Sequence, residues 1–401
     1  MSKIKKLLTP LCKLIVLFML IGAAFSYAMF QGGFVSWFLF YSFLPFAAYG
    51  LMVAIYPIRE WGITRRLAKH EYTAKEVLKV EIELKRKTFF PIFYLLVEDH
   101  VSDELANATI SKKLFFPGLK RSIRFEYVIH ELPRGEHVFF CTTIKTGDPF
   151  GLMEKEWNFF NEEKVLVFPR YEEVVYKPFT NHYEQGMRTA KNMVQRDTTM
   201  AVGVREYHPG DRFSWINWKA SAKRNEIMMK EFEQKQTDDL FIILDCKENP
   251  NFETMLSFAA TLIRAVLKKG AQVGFSSTDK EKKVFPVRGG ESQQRLLFHH
   301  LAKLKNNSDS SFGKLMENRL FAFQQNTTFM LITADLSKEL IKAAGVLAGR
   351  KYGIQIYLVK NSNKGLSNEE LLLKGEALRS GVRVILLDRN RFQDAFSGVK
   401  T

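Results

Sequence analysis

Charge is missing from the first part of this chain. Between Lys13 and Arg59 lie 45 residues without an Asp, Glu, Lys or Arg. Cysteine is scarce as well: Cys12, Cys141 and Cys246 form no C-x-x-C pair and have no metal-ligand spacing, which excludes a disulfide framework and a zinc site. No G-x-x-x-x-G-K-[ST], H-E-x-x-H, G-x-S-x-G or G-x-G-x-x-G run occurs, so P-loop, zincin, α/β-hydrolase and dinucleotide-binding chemistry have no sequence support. No repeat of about 20–50 residues is visible, which excludes a solenoid. His299 and His300 are neighbours on one predicted helix and point to different faces, so they do not chelate one ion.

The rest of the 401 residues is ordinary globular material, 46% apolar and 25% charged, enough for two or three domains. Its 59 Lys+Arg against 43 Asp+Glu give a net charge of +16, which suggests nucleic acid or an anionic membrane surface.

The uncharged stretch has room for two membrane-spanning helices of about 20 residues each. The expected spans are Leu14–Phe30, with a start as early as Leu11, and Phe34–Tyr56; Gln31-Gly32-Gly33 turns between them and Pro45 kinks the second. Trp37, Tyr41, Tyr56 and Trp61 are the expected interfacial aromatics. Lys3, Lys5, Lys6 and Lys13 precede the first span, Arg59, Arg65, Arg66 and Lys69 follow the second, and the turn has none. Both termini are therefore expected in the cytoplasm, with the Arg59–Lys69 cluster facing anionic lipid. The sequons at Asn107 and Asn326 are then accidental. A cleaved leader ending at Ser26-Tyr27-Ala28 is the competing reading, and even then the second apolar run would anchor the body.

Four segments are expected: the hairpin over 1–60, a β-sandwich over 61–180, a joining segment over 181–236 and an α/β domain over 237–401. The sandwich rests on the strict alternation of Lys79–Lys85 and Ile123–Tyr127, a short buried strand at Lys164–Phe168, and turns at Phe116-Pro117-Gly118 and Leu132-Pro133-Arg134-Gly135. After Leu240 strands alternate with helices. Strands are expected at Leu240–Leu244, Gln272–Ser276, Val284–Val287, Phe329–Thr333, Gly353–Val359 and Val382–Leu387, with helices at Phe252–Lys268, about Ser292–Leu304 and Leu336–Arg350. That rhythm implies a parallel sheet covered on both faces.

The joining segment contains Arg205-Glu206-Tyr207-His208-Pro209-Gly210-Asp211, then Trp215 and Trp218 three residues apart, then Lys219, Lys223 and Arg224. Asp211 is expected to cap a helical turn that puts both tryptophans on one face. Aromatics interleaved with basic residues suit a single-stranded nucleic-acid clamp. The reading preferred here is a structural polar network with a tryptophan cluster, because membrane tethering accounts for much of the basicity.

Tyr207-x-x-Gly210-Asp211, Ile216-x-Trp218, Ala220-x-Ala222-Lys223 and Glu231-Phe232-Glu233 together resemble the signature of the bacterial "domain of unknown function 58" family, and Thr146-Gly147-Asp148-Pro149-Phe150-Gly151-Leu152 resembles a second motif of that family. Ser214 stands where the family usually has Arg, a role that passes to Arg212 or is lost. The resemblance implies an α+β multidomain membrane protein: a transmembrane hairpin, a β-sandwich, and a von Willebrand factor A-like domain built on a Rossmann-type parallel sheet. It implies a signature network of Arg205, Tyr207, Gly210, Asp211, Trp218 and Lys219. Such α/β domains often hold a divalent cation through Asp-x-Ser-x-Ser, a Thr and an Asp. The matching positions here are Asp245, Lys247, Asn249, Thr333 and Asp335, a degenerate set in which Lys247 is expected to pair with Asp245 or Asp335 in place of the metal. No cofactor is expected.

The implied function is that of a non-enzymatic assembly or interaction factor at the cell membrane, working with a MoxR-type AAA+ ATPase and binding lipid through its two helices. One alternative is an envelope-associated hydrolase using Asp211, Asp245 or Asp335. Another is binding of anionic lipid or nucleic acid by the basic surface, which would weaken steeply with salt.

Overall fold

The computed structural model describes residues 2–106, 112–176, 201–208, 211, 213–232, 239–308, 327–350, 352–360, 366–388 and 392–395. Two apolar helices open the chain, Ser2–Gln31 and Phe34–Ile55, and Cys12–Gln31 and Phe34–Ile55 are each long and apolar enough to cross a membrane. Pro45 lies inside the second helix without dividing it. Two compact units follow from the contacts, Met1–Arg170 with Phe298–Leu304, and Tyr171–Leu297 with Lys305–Thr401.

In the first unit the strands are β1 (Gly62–Leu67), β2 (Glu71–Thr73), β3 (Leu78–Lys85), β4 (Tyr94–Val101), β5 (Lys112–Phe115), β6 (Ser122–Ile129), β7 (Gly135–Gly147) and β8 (Glu154–Phe168). They form a three-stranded sheet, β1-β3-β6, and a five-stranded sheet, β2-β8-β7-β4-β5, antiparallel except for β2 on β8. One core serves both: Val80, Ile82 and Leu84 from the first sheet bury against Leu95, Val97, Phe139 and Val165 from the second. The short strand expected at Lys164–Phe168 is the end of the much longer β8, whose first half packs Trp157 and Phe159, both partly buried, against the same core.

Two aromatics and an arginine correct the expectation for the membrane boundary. Tyr56 and Trp61 are 4% and 3% exposed and belong to the sandwich core. Arg65 does not face lipid: its guanidinium and the Asp99 carboxylate are a buried ion pair, 0% and 1% exposed. Arg65 sits on β1 and Asp99 on β4, so the pair crosses between the sheets. Asp99 also accepts from Tyr127 (2.6 Å) and Thr142 (2.9 Å), while Arg65 Nη1 donates to the Asn161 carbonyl (2.7 Å). Burial and the Asp99 charge push the Tyr127 phenol up, so it stays a neutral donor.

The second unit opens with a hairpin, β9 (Ala201–Glu206) and β10 (Met228–Phe232), paired antiparallel. Then come β11 (Leu240–Leu244), β12 (Val273–Ser277), β13 (Val284–Arg288), β14 (Thr328–Thr333), β15 (Gly353–Lys360) and β16 (Arg383–Asp388), in the spatial order β13-β12-β11-β14-β15-β16. All neighbours are parallel except β13, which runs antiparallel on its edge and departs from the all-parallel expectation. Helix Phe252–Lys268 covers one face, its Phe258 ring 4.9 Å from Tyr357. Helices Lys338–Gly349 and Asn368–Arg379 cover the other, burying Leu340, Ala344, Leu347, Leu373 and Ala377 against Phe241, Phe329 and Ile356.

Candidate functional site

Two places gather the residues singled out above. The first is the hairpin of β9 and β10 with the segment that it encloses. Arg205 Nη2 pairs with Asp211 Oδ1 at 2.7 Å, and Asp211 Oδ2 accepts the His208 N–H at 3.0 Å. Tyr207 stacks on Phe213, the rings 6.3 Å apart and 15° from parallel. Asp211 therefore bridges two arms of a turn and does not cap a helix. The cap of helix Trp218–Arg224 is Asn217, whose side chain accepts from the Ala220 N–H (3.2 Å). Because Trp215 lies in a preceding 3₁₀ turn, the two tryptophans do not share one helical face.

Ser221 ties that helix to β10, its hydroxyl accepting the Met228 N–H (2.9 Å) and donating to the Asn217 carbonyl (2.9 Å). Ile216 bridges to Met229, and both are buried. Asn217 and Ser221 were missed by sequence reading, although Asn directly before Trp-Lys-Ala is an N-cap signal. Trp218 and Lys219 do not join the Arg205–Asp211 pair; both project outward, Trp218 with 73% of its surface exposed. Gly210, Pro209 and Arg212 lie outside the described residues.

Arg205 and the His208 N–H hold the Asp211 carboxyl down at about 2 against an ordinary 3.8. Because the folded value is the lower one, the pair's contribution to stability is complete above about pH 4 and is lost as pH falls toward 2. Tryptophan emission of the hairpin is expected to stay flat from neutral pH to about 4 and to change below it; Asp211→Asn should abolish that change.

The second place is the carboxyl edge of the sheet, between β11 and β14, where the chain switches from building one side of the sheet to building the other. Asp245 follows β11, and Thr333 ends β14. Thr333 Oγ1 donates to Asp245 Oδ2 (2.8 Å) and accepts the Asp335 N–H (3.2 Å). Asp245 Oδ1 accepts from the Lys247 N–H (3.1 Å) and lies 3.5 Å from the hydroxyl of Thr278, the member of this cluster that the sequence did not mark. Burial raises the Asp245 carboxyl, opposed by the Lys247 and Thr333 bonds.

A divalent cation needs several free oxygens, and these residues do not fit one. Both Asp245 oxygens are engaged by protein donors. Asn249 Oδ1 accepts the Asn251 N–H (2.9 Å), and its amide donates to the Lys247 carbonyl (2.8 Å). The Lys247 ammonium lies 3.9 Å from Asp335 Oδ2 in an exposed pair. Titration with Mg²⁺ or Mn²⁺ is expected to give no binding heat; micromolar binding lost on Asp245→Ala would contradict this donor arrangement.

The Thr146–Leu152 motif has a third location, beside the apolar helices. Asp148 is 3% exposed and accepts the N–H groups of Phe150 (3.2 Å) and Met153. Gly151 sits at φ +71°, which closes the turn and favours glycine. The turn presents Phe150 to Phe46 of the second helix, ring centroids 4.9 Å apart, and Met153 to Leu17, Ala47 and Val53.

The family model described as "Protein of unknown function DUF58" matches residues 203–392. The uncharacterized protein YeaD of Bacillus subtilis (strain 168) is 34% identical over 384 residues, covering 94% of this chain and 96% of that protein. Among solved structures, the CARDB domain of the PF1109 protein from Pyrococcus furiosus aligns with 27% of this chain and 91% of its own, at 12% identity and a TM-score of 0.20. The sporulation control protein Spo0M from Bacillus subtilis aligns with 27% and 49%, at 14% identity and a TM-score of 0.16.

Proposed function

The chain belongs to the DUF58 family, and we propose that within it the protein is a membrane-anchored interaction factor whose body faces the cytoplasm. The observation that carries this reading is the outward surface of the β9–β10 hairpin. Phe213 and Trp218 are each 73% exposed, and Lys219, Lys223 and Arg224 of the same short segment are exposed with them. Aromatic anchors beside basic residues suit a partner surface of acidic and apolar character. The buried Ile216, Met228 and Met229 and the Arg205–Asp211 pair make that surface a fixed platform.

The α/β region is proposed to be von Willebrand A-like. The strand order with an antiparallel edge, and the Asp245–Thr333–Asp335 cluster at the switch point, support that assignment. A MoxR-type AAA+ ATPase is the partner implied by the family resemblance. Orientation with both termini in the cytoplasm is supported by the lysines in the opening turns of the first helix and the arginines after the second.

Affinity purification of the detergent-solubilised full chain tests the proposal. An AAA+ ATPase identified in the eluate, and lost with Trp218→Ala but retained with Phe160→Ser on the sandwich, is the expected result. Equal retention by the Trp218→Ala chain, or recovery of nucleic acid alone, would overturn it.

A further inference from the structure

We propose that one end of the β-sandwich is itself seated in the bilayer, its aromatic loops inserted among lipid headgroups and acyl chains. The proposal rests on reading the two apolar helices as membrane spans.

The helix Phe34–Ile55 rises about 33 Å at 1.5 Å per residue, close to the roughly 30 Å of a hydrocarbon core. Sandwich loops do not meet this helix only at its end. Tyr49, about 9 Å of helix rise short of Ile55, has its hydroxyl 2.9 Å from the Phe93 N–H and 3.0 Å from the Pro91 carbonyl. Phe46, about 14 Å short, packs against Phe150. The first helix gives the same level. Lys13 pairs with Glu154 at 3.0 Å, and Leu17, one turn further into the apolar stretch, packs with Met153. If the uncharged helices are in lipid, the loops at 89–93 and 148–153 lie beside helix that lipid must cover.

The side chains on those loops suit such a place. Phe89, Phe93, Phe116 and Phe150 are 64%, 52%, 68% and 59% exposed, and Leu119 is 51% exposed. Phe93 and Phe116 contact each other edge to face, centroids 6.2 Å apart, which joins two loops into one apolar patch. Lys87, Lys120 and Arg121 are exposed on the same loops, with Arg121 over the Phe89 ring, a basic rim for phosphate headgroups. Apolar rings below a basic rim is the pattern of an interfacial membrane contact.

The patch is also preformed. Arg86, 4% exposed, donates to the carbonyls of Phe90 (2.5 Å), Gly118 (2.8 Å) and Lys120 (2.8 Å), locking both loops from behind. The Asp-Pro-Phe-Gly-Leu turn fixes Phe150 in the same way, through Asp148. Irregular backbone at this depth is tolerated because protein groups satisfy it.

Spin-label accessibility in the full chain, reconstituted in phosphatidylcholine–phosphatidylglycerol vesicles, tests the inference. Single cysteines replace Phe93, Phe116 or Phe150 in a chain carrying Cys12→Ala and Cys141→Ser, with the fully buried Cys246 left in place. Phe38→Cys on the second helix and Phe160→Cys, an 85% exposed position on β8, are the controls. All five sites are well exposed, so the substitutions leave the fold intact. Labels at 93, 116 and 150 should be more accessible to oxygen than to a water-soluble nickel complex, as at 38, with the ratio reversed at 160. Ratios at 93, 116 and 150 like that at 160, with 38 in lipid, would overturn the seated sandwich alone. A water-like ratio at 38 would remove the spanning helices and the seated sandwich together.

Discussion

Replacing Asp99 by alanine is expected to destabilise the sandwich by about 3–5 kcal/mol, because the Arg65 guanidinium would remain buried without its counter-charge. The side chain of Arg65 is fully enclosed, and the Phe139 ring, 5.1 Å away, is no substitute for a carboxylate. Three further groups aimed at Asp99 or at the pair, from Tyr127, Thr142 and Asn161, would lose a partner or its alignment. The informative comparison is with the double variant Arg65→Met, Asp99→Leu. Removing both charges removes the uncompensated ion, so the double variant should lose much less than Asp99→Ala. Denaturant unfolding of the full chain, with hydrogen exchange on β4 and β7 to localise the loss, measures both. A single variant within 1 kcal/mol of the parent would mean that water reaches Arg65.

The second large effect is expected at the centre of the α/β sheet. Phe241 on β11 stands in register with Gly274 on β12, and a Cβ added at Gly274 would meet the Phe241 ring at 2.5 Å. Phe241→Ala should cost about 3–5 kcal/mol through lost contact and cavity. Gly274→Ala should cost about 1–3 kcal/mol by overpacking, since Val287 lies at 2.9 Å on the same side and leaves the ring little room to turn. The reciprocal test is the pair: Phe241→Leu combined with Gly274→Ala should recover part of the single losses, whereas additive losses would mean that the two positions do not share one space.

Periodicity carried the helix Phe252–Lys268, which the structure gives with the same limits because nearly every inward position is apolar. It did not carry the helix Asn368–Arg379, where only Leu373 and Ala377 are buried and exposed leucines blur the face. The local signal was there in Ser367-x-x-Glu370, a capping box formed in the structure. Arg65 is a different kind of miss. Its partner is on another sheet, so counting it among membrane-facing charges followed from position in the chain, and no local pattern contradicts that. The same applies to Asp211, whose nearest helix lies ahead while its partner Arg205 lies behind. At the sheet edge the sequence marked Asp245, Thr333 and Asp335, which fall at strand ends; Thr278 enters only because β12 is adjacent to β11.

The pairing of β2 with β8 sets an order of events during synthesis. Glu71–Thr73 has no strand partner on its own side of the chain until Leu166–Phe168 has left the ribosome. Both apolar helices precede β2, so they are synthesised long before the five-stranded sheet acquires its outer strand. Closure of so distant a contact is slow compared with local hairpins. A nascent chain halted before Leu166 should therefore be protease-sensitive through β2, and one halted well beyond Phe168 should resist.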